Sequence, residues 1–167
     1  MELVKIKEEE FDVVYDELEA NFPIEERRRR EDARAMLDRS EFDFLHVIEG
    51  GERVGFITLW YLDGFIFAEH FVTYEKYRSQ GLGGRVLELL RERCPTLVLE
   101  CEHPETPMAA RRVGFYRRHG FCENEIEYHQ PSYHGGDGVP LMLMSCPAPL
   151  EDAHTAVREI YAKVYGK

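Results

Sequence analysis

Long apolar stretches and closely spaced cysteines are both missing from this 167-residue sequence. No apolar run approaches the roughly 20 residues that a membrane-spanning helix needs, and residues 1–6 lack the apolar segment of a signal peptide. The four cysteines include no C-x-x-C pair, so neither a zinc ribbon nor a dithiol redox motif is supported. We therefore expect a cytoplasmic protein with free thiols and no membrane partner.

Basic residues are the second deficit of the composition. Lys and Arg number 21 against 32 Asp and Glu, which gives a formal net charge of -11. Because binding to phosphate backbones needs a basic surface, we expect no nucleic-acid partner. An acidic field instead favours a cationic substrate such as an amine. The apolar content of 44% is typical of globular proteins, and the length fits one domain over residues 1–167.

Hydrophobic periodicity divides the chain into strands and helices. Strands are predicted at residues 3–6, 42–48, 53–61, 65–73, 97–102, 121–129 and 139–146, and helices at 11–22, 25–38, 85–90, 106–119 and 151–165. The short glycine-bearing joints at residues 49–52 and 63–64 are typical of antiparallel hairpins, whereas the later strand–helix–strand order fits a parallel pair. The order predicts a mixed α/β fold of the α+β type, with a mostly antiparallel central sheet flanked by helices.

A glycine-rich turn connects the predicted strand at residues 65–73 to the helix that follows it. Gly81, Gly83 and Gly84 fall at the helix N-terminus, where backbone N–H groups lack partners and an anion can come close. Neither G-x-G-x-x-G nor a Gly-Lys-Ser/Thr sequence is present, so the dinucleotide-binding and P-loop motifs are not satisfied. The stretch predicts a phosphate site, and the alternative is a tight turn that binds nothing.

Two motifs resemble those of the GNAT N-acetyltransferase superfamily. Arg78-x-x-Gly81-x-Gly83 is similar to the R/Q-x-x-G-x-G/A loop that holds the diphosphate of acetyl-coenzyme A. Residues 109–121, with Tyr116 and Gly120-Phe121, resemble the second motif, and the two occur in the family's order. The resemblance implies a GNAT-like acyl-CoA N-acyltransferase fold, in which a splayed parallel strand pair receives acetyl-CoA as co-substrate and no metal is required. Homodimers are common in proteins of this kind.

The resemblance also implies roles for individual residues. Tyr116 takes the place of the acid that protonates the departing sulfur, and the N–H of Val72 that of the oxyanion donor. Residues expected to contact the cofactor are Phe71, Val72, Thr73, Arg78, Ser79, Gln80, Gly81, Leu82, Gly83, Gly84 and Arg112. Those expected on the acceptor side are Glu25, Tyr133 and His134, from the segment 22–30 and the polar loop 129–138.

The general base has several candidates. Glu69 is the first, because a carboxylate partly desolvated by neighbouring phenylalanines should have a raised pKa suited to accepting a proton through water. Glu100 and Glu102 on the next strand are alternatives, as is water alone. His70 ranks below Glu69, since a regular pleat would turn it to the other face of the strand.

Other interpretations of these residues stay open. The run of four arginines at residues 27–30 is typical of a solvated helix face with i,i+4 ion pairs. Cys101 and Cys122 are formal nucleophile candidates, and His129, His134 and Asp137 form a weak metal pattern. The sequence favours an enzyme that moves an acetyl group from acetyl-CoA to a primary amine of a small molecule or peptide. A coenzyme A-binding sensor without turnover and a general nucleotide-binding domain are the alternatives.

Overall fold

The computed structural model describes residues 1–167, which form one eight-stranded sheet with helices on both faces. The strands are β1 (Glu2–Lys5), β2 (Phe42–Glu49), β3 (Glu52–Leu62), β4 (Phe65–Thr73), β5 (Leu97–Cys101), β6 (Cys122–Glu123), β7 (Tyr128–Gln130) and β8 (Val139–Cys146). The helices are α1 (Phe11–Asn21), α2 (Arg30–Ala35), α3 (Leu82–Arg93), α4 (Pro107–Arg118) and α5 (Ala153–Ile160), the last continued by a π-helical turn over Tyr161–Tyr165.

The strand order is β1-β2-β3-β4-β5-β8-β6, and β7 pairs separately with β8. The only parallel pair is β4 with β5, which α3 connects. Two apolar cores flank the sheet. One packs α1 and α5 against one face and includes Phe67 and Val72, and the other packs α3 and α4 against the opposite face and includes Ile66 and Leu99. The predicted mixed fold and its two hairpin joints are confirmed.

The parallel pair β4–β5 separates part of the way along its length. Ile66, Phe67 and Ala68 pair with Leu97, Val98 and Leu99, and the pairing ends there. The remaining residues of β4, from His70 to Thr73, keep their partners in β3 and have none in β5, and Glu69 pairs with neither strand. Because unpaired backbone groups need other partners, this slot suits a ligand that carries amides.

A β-bulge in β4 changes which side chains share a face. The register with β3 shifts between Thr58, opposite His70, and Leu59, opposite Ala68, so that Glu69 is the extra residue. Phe67 and Val72, five residues apart, accordingly pack into the same core. The expectation that His70 turns to the face opposite Glu69 is therefore wrong, because the inserted residue brings both side chains to the α1 side.

Two predicted elements are absent as single units. The helix expected over residues 25–38 consists of short pieces, at Ile24–Glu26, Arg30–Ala35 and Met36–Asp38, because the residues at 27–29 are extended or buried rather than helical. The expected i,i+4 pairs are also wrong, since Arg30 pairs with Asp12, Asp16 and Glu19 of α1. The strand expected over residues 121–129 is divided into β6 and β7.

None of the helices combines the length and the apolar character that crossing a bilayer would require.

Candidate active site

A cavity of about 380 Å³ occupies the slot between β4 and β5. Its walls come from the end of α1, both splayed strands and one side of α4, and include Asn21, Phe22, Ala68, Glu69, Phe71, Val72, Thr73, Leu99, Glu100 and Tyr116. The carboxylates Glu69 and Glu100 belong to the α1–α5 face of the sheet, whereas Ala68 and Leu99 belong to the α3 face. The slot therefore has a polar side and an apolar side.

A second cavity, of about 780 Å³, lies over the glycine turn and shares six wall residues with the first. Its basic wall residues are Arg78, Arg111, Arg112, Arg118 and His119, and no Asp or Glu lines it. In a chain with a net charge of -11, such a concentration of arginine around an α-helix N-terminus fits a ligand with several phosphates. The donor set therefore fits the diphosphate end of coenzyme A.

Each of the three glycines at the turn occupies a position that disfavours a larger side chain for a different structural reason. Gly81 caps α3 with φ of 75°, and a Cβ there would meet nothing within 4 Å, so it faces open space. At Gly84 a Cβ would lie 2.3 Å from the His119 ring, so that residue is small because α3 packs against α4. Gly84 also lines the cavity over the glycine turn, so helix packing is an additional reason for its small size. A Cβ at Gly83 would crowd Phe115 at 3.1 Å.

Tyr116 lies where the two cavities meet, and it lines both. The ring packs against Phe115 and Phe121, while the hydroxyl makes no hydrogen bond to the protein. Burial, with a smaller contribution from nearby Cys101, raises the pKa of the phenol. The hydroxyl is thus protonated at neutral pH and free to donate to a ligand.

The backbone orientation of β4 corrects the expected oxyanion donor. The N–H of Tyr74 donates to the carbonyl of Val54 at 2.9 Å, and in an antiparallel ladder the hydrogen-bonded positions recur at every second residue. The N–H of Val72 therefore points towards β3, opposite Phe56. The N–H groups of Phe71 and Thr73 point into the slot instead, so they replace Val72 as candidate donors.

Glu69 is a fully buried member of an ion pair. Its carboxylate accepts hydrogen bonds from the Arg28 guanidinium, from Trp60 Nε1 at 2.9 Å and from the Tyr133 hydroxyl. Burial alone would raise the pKa of Glu69, but the charge of Arg28 and these donors together lower it to about 2. The expectation of a raised pKa is wrong, and a carboxylate this acidic is a poor proton acceptor at neutral pH.

Glu100 has the property that was expected of Glu69. Its carboxylate accepts hydrogen bonds from the hydroxyls of Tyr128 and Tyr165 and from Gln130 Nε2, and it has no cationic partner. Burial therefore raises its pKa to about 7, although the hydrogen bonds oppose the shift. A carboxylate with this pKa can exchange a proton near neutral pH.

The remaining predicted residues are placed as follows. Gln80 lines neither cavity and donates to the Lys76 carbonyl, and Glu25 is exposed outside both. Glu102 pairs with Arg112 and lines neither cavity. Tyr133 and His134 do not reach the cavity walls either, since Tyr133 donates to Glu69 and His134 contacts the carbonyls of residues 24 and 27. Tyr133 therefore contacts the cavity only through Glu69, and His134 contacts the segment at residues 24–27.

The sequence did not predict the role of Arg28, which is buried beside Glu69 of the candidate site. It is 8% exposed, donates to Glu69 and to the Val164 carbonyl, and lies against the rings of Trp60 and Tyr133. Nothing in four consecutive arginines distinguishes the one that is buried. Some residues that line the cavities likewise had no sequence signal that would have identified them: Asn21, Met108, Arg111 and Arg118.

All four cysteines are free, as expected, and neither Cys101 nor Cys122 lines either cavity of the candidate site. No group of three or more His, Cys, Asp or Glu side chains lies close enough together to hold a metal ion. The pattern formed by His129, His134 and Asp137 therefore does not correspond to a metal-binding cluster.

Comparison with known proteins identifies the class of the fold and site. The acetyltransferase (GNAT) family matches residues 9–121, more than half of the sequence. The chain belongs to the GNAT acetyltransferase family.

Individual relatives agree with this assignment. The structure of a Bacteroides thetaiotaomicron protein assigned as a GNAT-family acetyltransferase is 34% identical in sequence and has a TM-score of 0.92. The match covers 100% of this chain and 99% of that chain. The Bacillus subtilis (strain 168) protein YjbC, assigned as an acetyltransferase, is 29% identical over 109 residues, which are 64% of this chain. The match spans 55% of the length of YjbC.

A structure of an aminoglycoside 6'-N-acetyltransferase complexed with coenzyme A is similar in fold. It has a TM-score of 0.62 and 18% sequence identity, with 91% of this chain and 100% of that chain covered. The resemblance to it concerns the fold alone.

Proposed function

We propose that this protein transfers an acetyl group from acetyl-CoA directly to a primary amine of a small molecule or peptide. The observation that carries the proposal is the junction of two cavities at Tyr116. One is basic and lies over a helix N-terminus, and the other holds a carboxylate with a pKa of about 7. The co-substrate supplies an activated thioester, and the protein supplies the groups that hold it and move protons.

Binding of the co-substrate would use both cavities. The N–H groups at the start of α3 and the arginines of the basic cavity would hold the phosphates. The unpaired edge of β4, at Phe71 and Thr73, would accept the amides of the pantetheine arm as an additional strand. A neighbour in the same fold was solved with coenzyme A, which supports this assignment.

The protein groups then account for each proton in the transfer. Glu100, ionised above a pH of about 7, accepts a proton from the incoming amine, directly or through water. The N–H of Phe71 or Thr73 stabilises the negative charge that develops on the carbonyl oxygen. The new C–N bond forms as the C–S bond breaks, and Tyr116 donates its proton to the departing sulfur. Holding both substrates together supplies much of the rate enhancement, and no covalent enzyme intermediate is needed.

The glycine turn provides a test of the binding step with a matched control. Gly81→Ala places a methyl group at the helix N-terminus and should weaken acetyl-CoA binding by about tenfold or more, because the phosphate can no longer approach the N–H groups. Gly64 has a similar φ, 82° against 75°, and equally open space, but it lies in the β3–β4 hairpin. Gly64→Ala therefore carries the same backbone strain without the effect on binding.

The measurement is a calorimetric or thermal-shift titration of both variants and the wild type. Acetyl-CoA at ~100 times its Kd stabilises the protein by about 2.7 kcal/mol, which moves Tm by roughly 2–4 °C per kcal/mol. ATP and NAD serve as control ligands. Equal weakening by Gly81→Ala and Gly64→Ala would mean that the glycine turn is only a turn. Binding without turnover of any amine would favour the coenzyme A sensor instead.

A further inference from the structure

The slot between β4 and β5 contains more apolar wall than the proposed chemistry of acetyl transfer uses. On its α3 side the cavity is lined by Ile57, Ala68, Leu87 and Leu99, all of which are less than 10% exposed. None of these side chains can contribute a proton or a hydrogen bond. Their role, if they contact a ligand, is to accept an apolar group.

This apolar wall lies next to the proposed general base, Glu100, on the other face of the sheet. Ala68 and Leu99 are directly opposite each other at the last paired position of β4 and β5, where the slot begins. Glu100 follows Leu99 and faces the opposite side of the sheet. An amine activated by Glu100 would therefore approach the thioester carbon from one face of the sheet. An acyl chain resting on Ala68 would extend from the same carbon towards the opposite face.

The small side chain at Ala68 sets the space available at this end. The other residues of the α3-side core that line the cavity are Ile57, Leu87 and Leu99, so Ala68 is the smallest side chain on this apolar wall. A larger side chain in its place, such as valine with two further methyl groups, would project into the cavity that Leu99 and Leu87 also line.

We propose that the slot accepts unbranched acyl groups of three or four carbons, such as propionyl and butyryl, and that Ala68 and Leu99 set the upper limit of chain length. This inference rests on the proposed function, because the acyl group arrives as a coenzyme A thioester. The transfer is chemically the same as for acetyl: the C–S bond breaks, the C–N bond forms, and the thiol leaves with one proton.

Binding affinity for a series of donors tests the proposal independently of turnover. Coenzyme A, acetyl-CoA, propionyl-CoA and butyryl-CoA are titrated into the wild type by calorimetry. Each buried methylene should tighten binding by about two- to fourfold, so butyryl-CoA should bind several-fold more tightly than acetyl-CoA. Ala68→Val should abolish or reverse this preference, and Leu99→Ala should extend it to longer chains.

Coenzyme A without an acyl group is the internal control, because its affinity should be the same in all three proteins. If Ala68→Val does not fold, Leu99→Ala still tests the limit in the opposite direction. Tight binding of acetyl-CoA with progressively weaker binding of propionyl-CoA and butyryl-CoA would overturn this inference and leave the proposed function intact. Failure of every thioester and of coenzyme A to bind would instead contradict the proposed function.

Discussion

Replacing Tyr116 by phenylalanine should lower kcat for acetyl transfer by about 10²- to 10⁴-fold, the range typical of a lost general acid. The hydroxyl is the only part of the side chain removed, and it makes no hydrogen bond to the protein, so the fold should be unaffected. Affinity for acetyl-CoA should stay within about twofold of the wild type. The measurement is steady-state kinetics together with a binding titration of the same preparation.

A matched variant separates this effect from the general loss of a phenol. Tyr61→Phe removes a hydroxyl that donates to Asp43 on the outer part of the sheet, away from both cavities. It should leave kcat unchanged. Unchanged turnover in Tyr116→Phe would remove the assignment of Tyr116 as the acid, whatever its effect on binding.

Replacing Glu100 by glutamine should lower kcat by about 10²-fold or more at pH 8 and flatten its pH dependence. In the wild type the rate should rise with pH through about 7, because Glu100 accepts a proton only when it is ionised. Glutamine cannot accept that proton. Glu102→Gln is the discriminating comparison, since Glu102 lies outside the cavity beside Arg112, and it should keep the rise near pH 7.

Glu100→Gln, which should lower the rate, should raise the stability of the folded protein. The folded-state pKa of Glu100, about 7, lies above the ordinary value of 4.5, so the folded protein holds a proton that the unfolded chain releases. The contribution of protonated Glu100 to the free energy of unfolding is fully present below about pH 4.5, and it is lost as pH rises through about 7. By pH 8 the buried charge costs on the order of 3 kcal/mol. Glu100→Gln should therefore gain in Tm relative to the wild type between pH 5 and pH 8.

A Tm difference that does not widen with pH would show that the pKa of Glu100 is not raised. A rise in rate near pH 7 that survives in Glu100→Gln would exclude Glu100 as the base. Loss of that rise in Glu102→Gln would then favour Glu102, and its persistence would exclude Glu102 as well.

The local features of the fold were predictable because they depend on neighbouring residues. The Asp63-Gly64 turn and the glycines at the start of α3 each follow from a short sequence pattern, and the structure contains both. Tyr116 could be placed near the cavity over the glycine turn because two motifs occur in order.

The bulge at Glu69 could not be predicted from the pattern of β4. Both faces of this strand are largely buried, so the alternation of polar and apolar residues that would mark an inserted residue is absent. The pKa values of the two glutamates were equally inaccessible. They depend on partners 41 residues away for Glu69 and 65 away for Glu100, and the decisive difference is that only Glu69 has a cation, Arg28.

The helix predicted over residues 25–38 failed for a related reason. Alternating charges suggested an exposed helical face, but burial of Arg28 beneath Tyr133 and Trp60 holds residues 27–29 in a non-helical conformation. One tertiary contact outweighs several weak intrahelical pairs, each worth only a few tenths of a kcal/mol. This segment, which reaches Glu69 through Arg28, was therefore the least predictable part of the candidate site.

The most direct test of the proposed function is to follow thiol release and amine acetylation together in the wild-type protein. Purified protein is mixed with acetyl-CoA and a panel of primary amines that includes small polycations and peptides with free amino groups. At least one amine should produce free thiol and acetylated product in equal amounts, at a rate that Tyr116→Phe suppresses. Thiol release without an acetylated amine, or no reaction with any amine despite tight binding of acetyl-CoA, would contradict amine acetylation as the function.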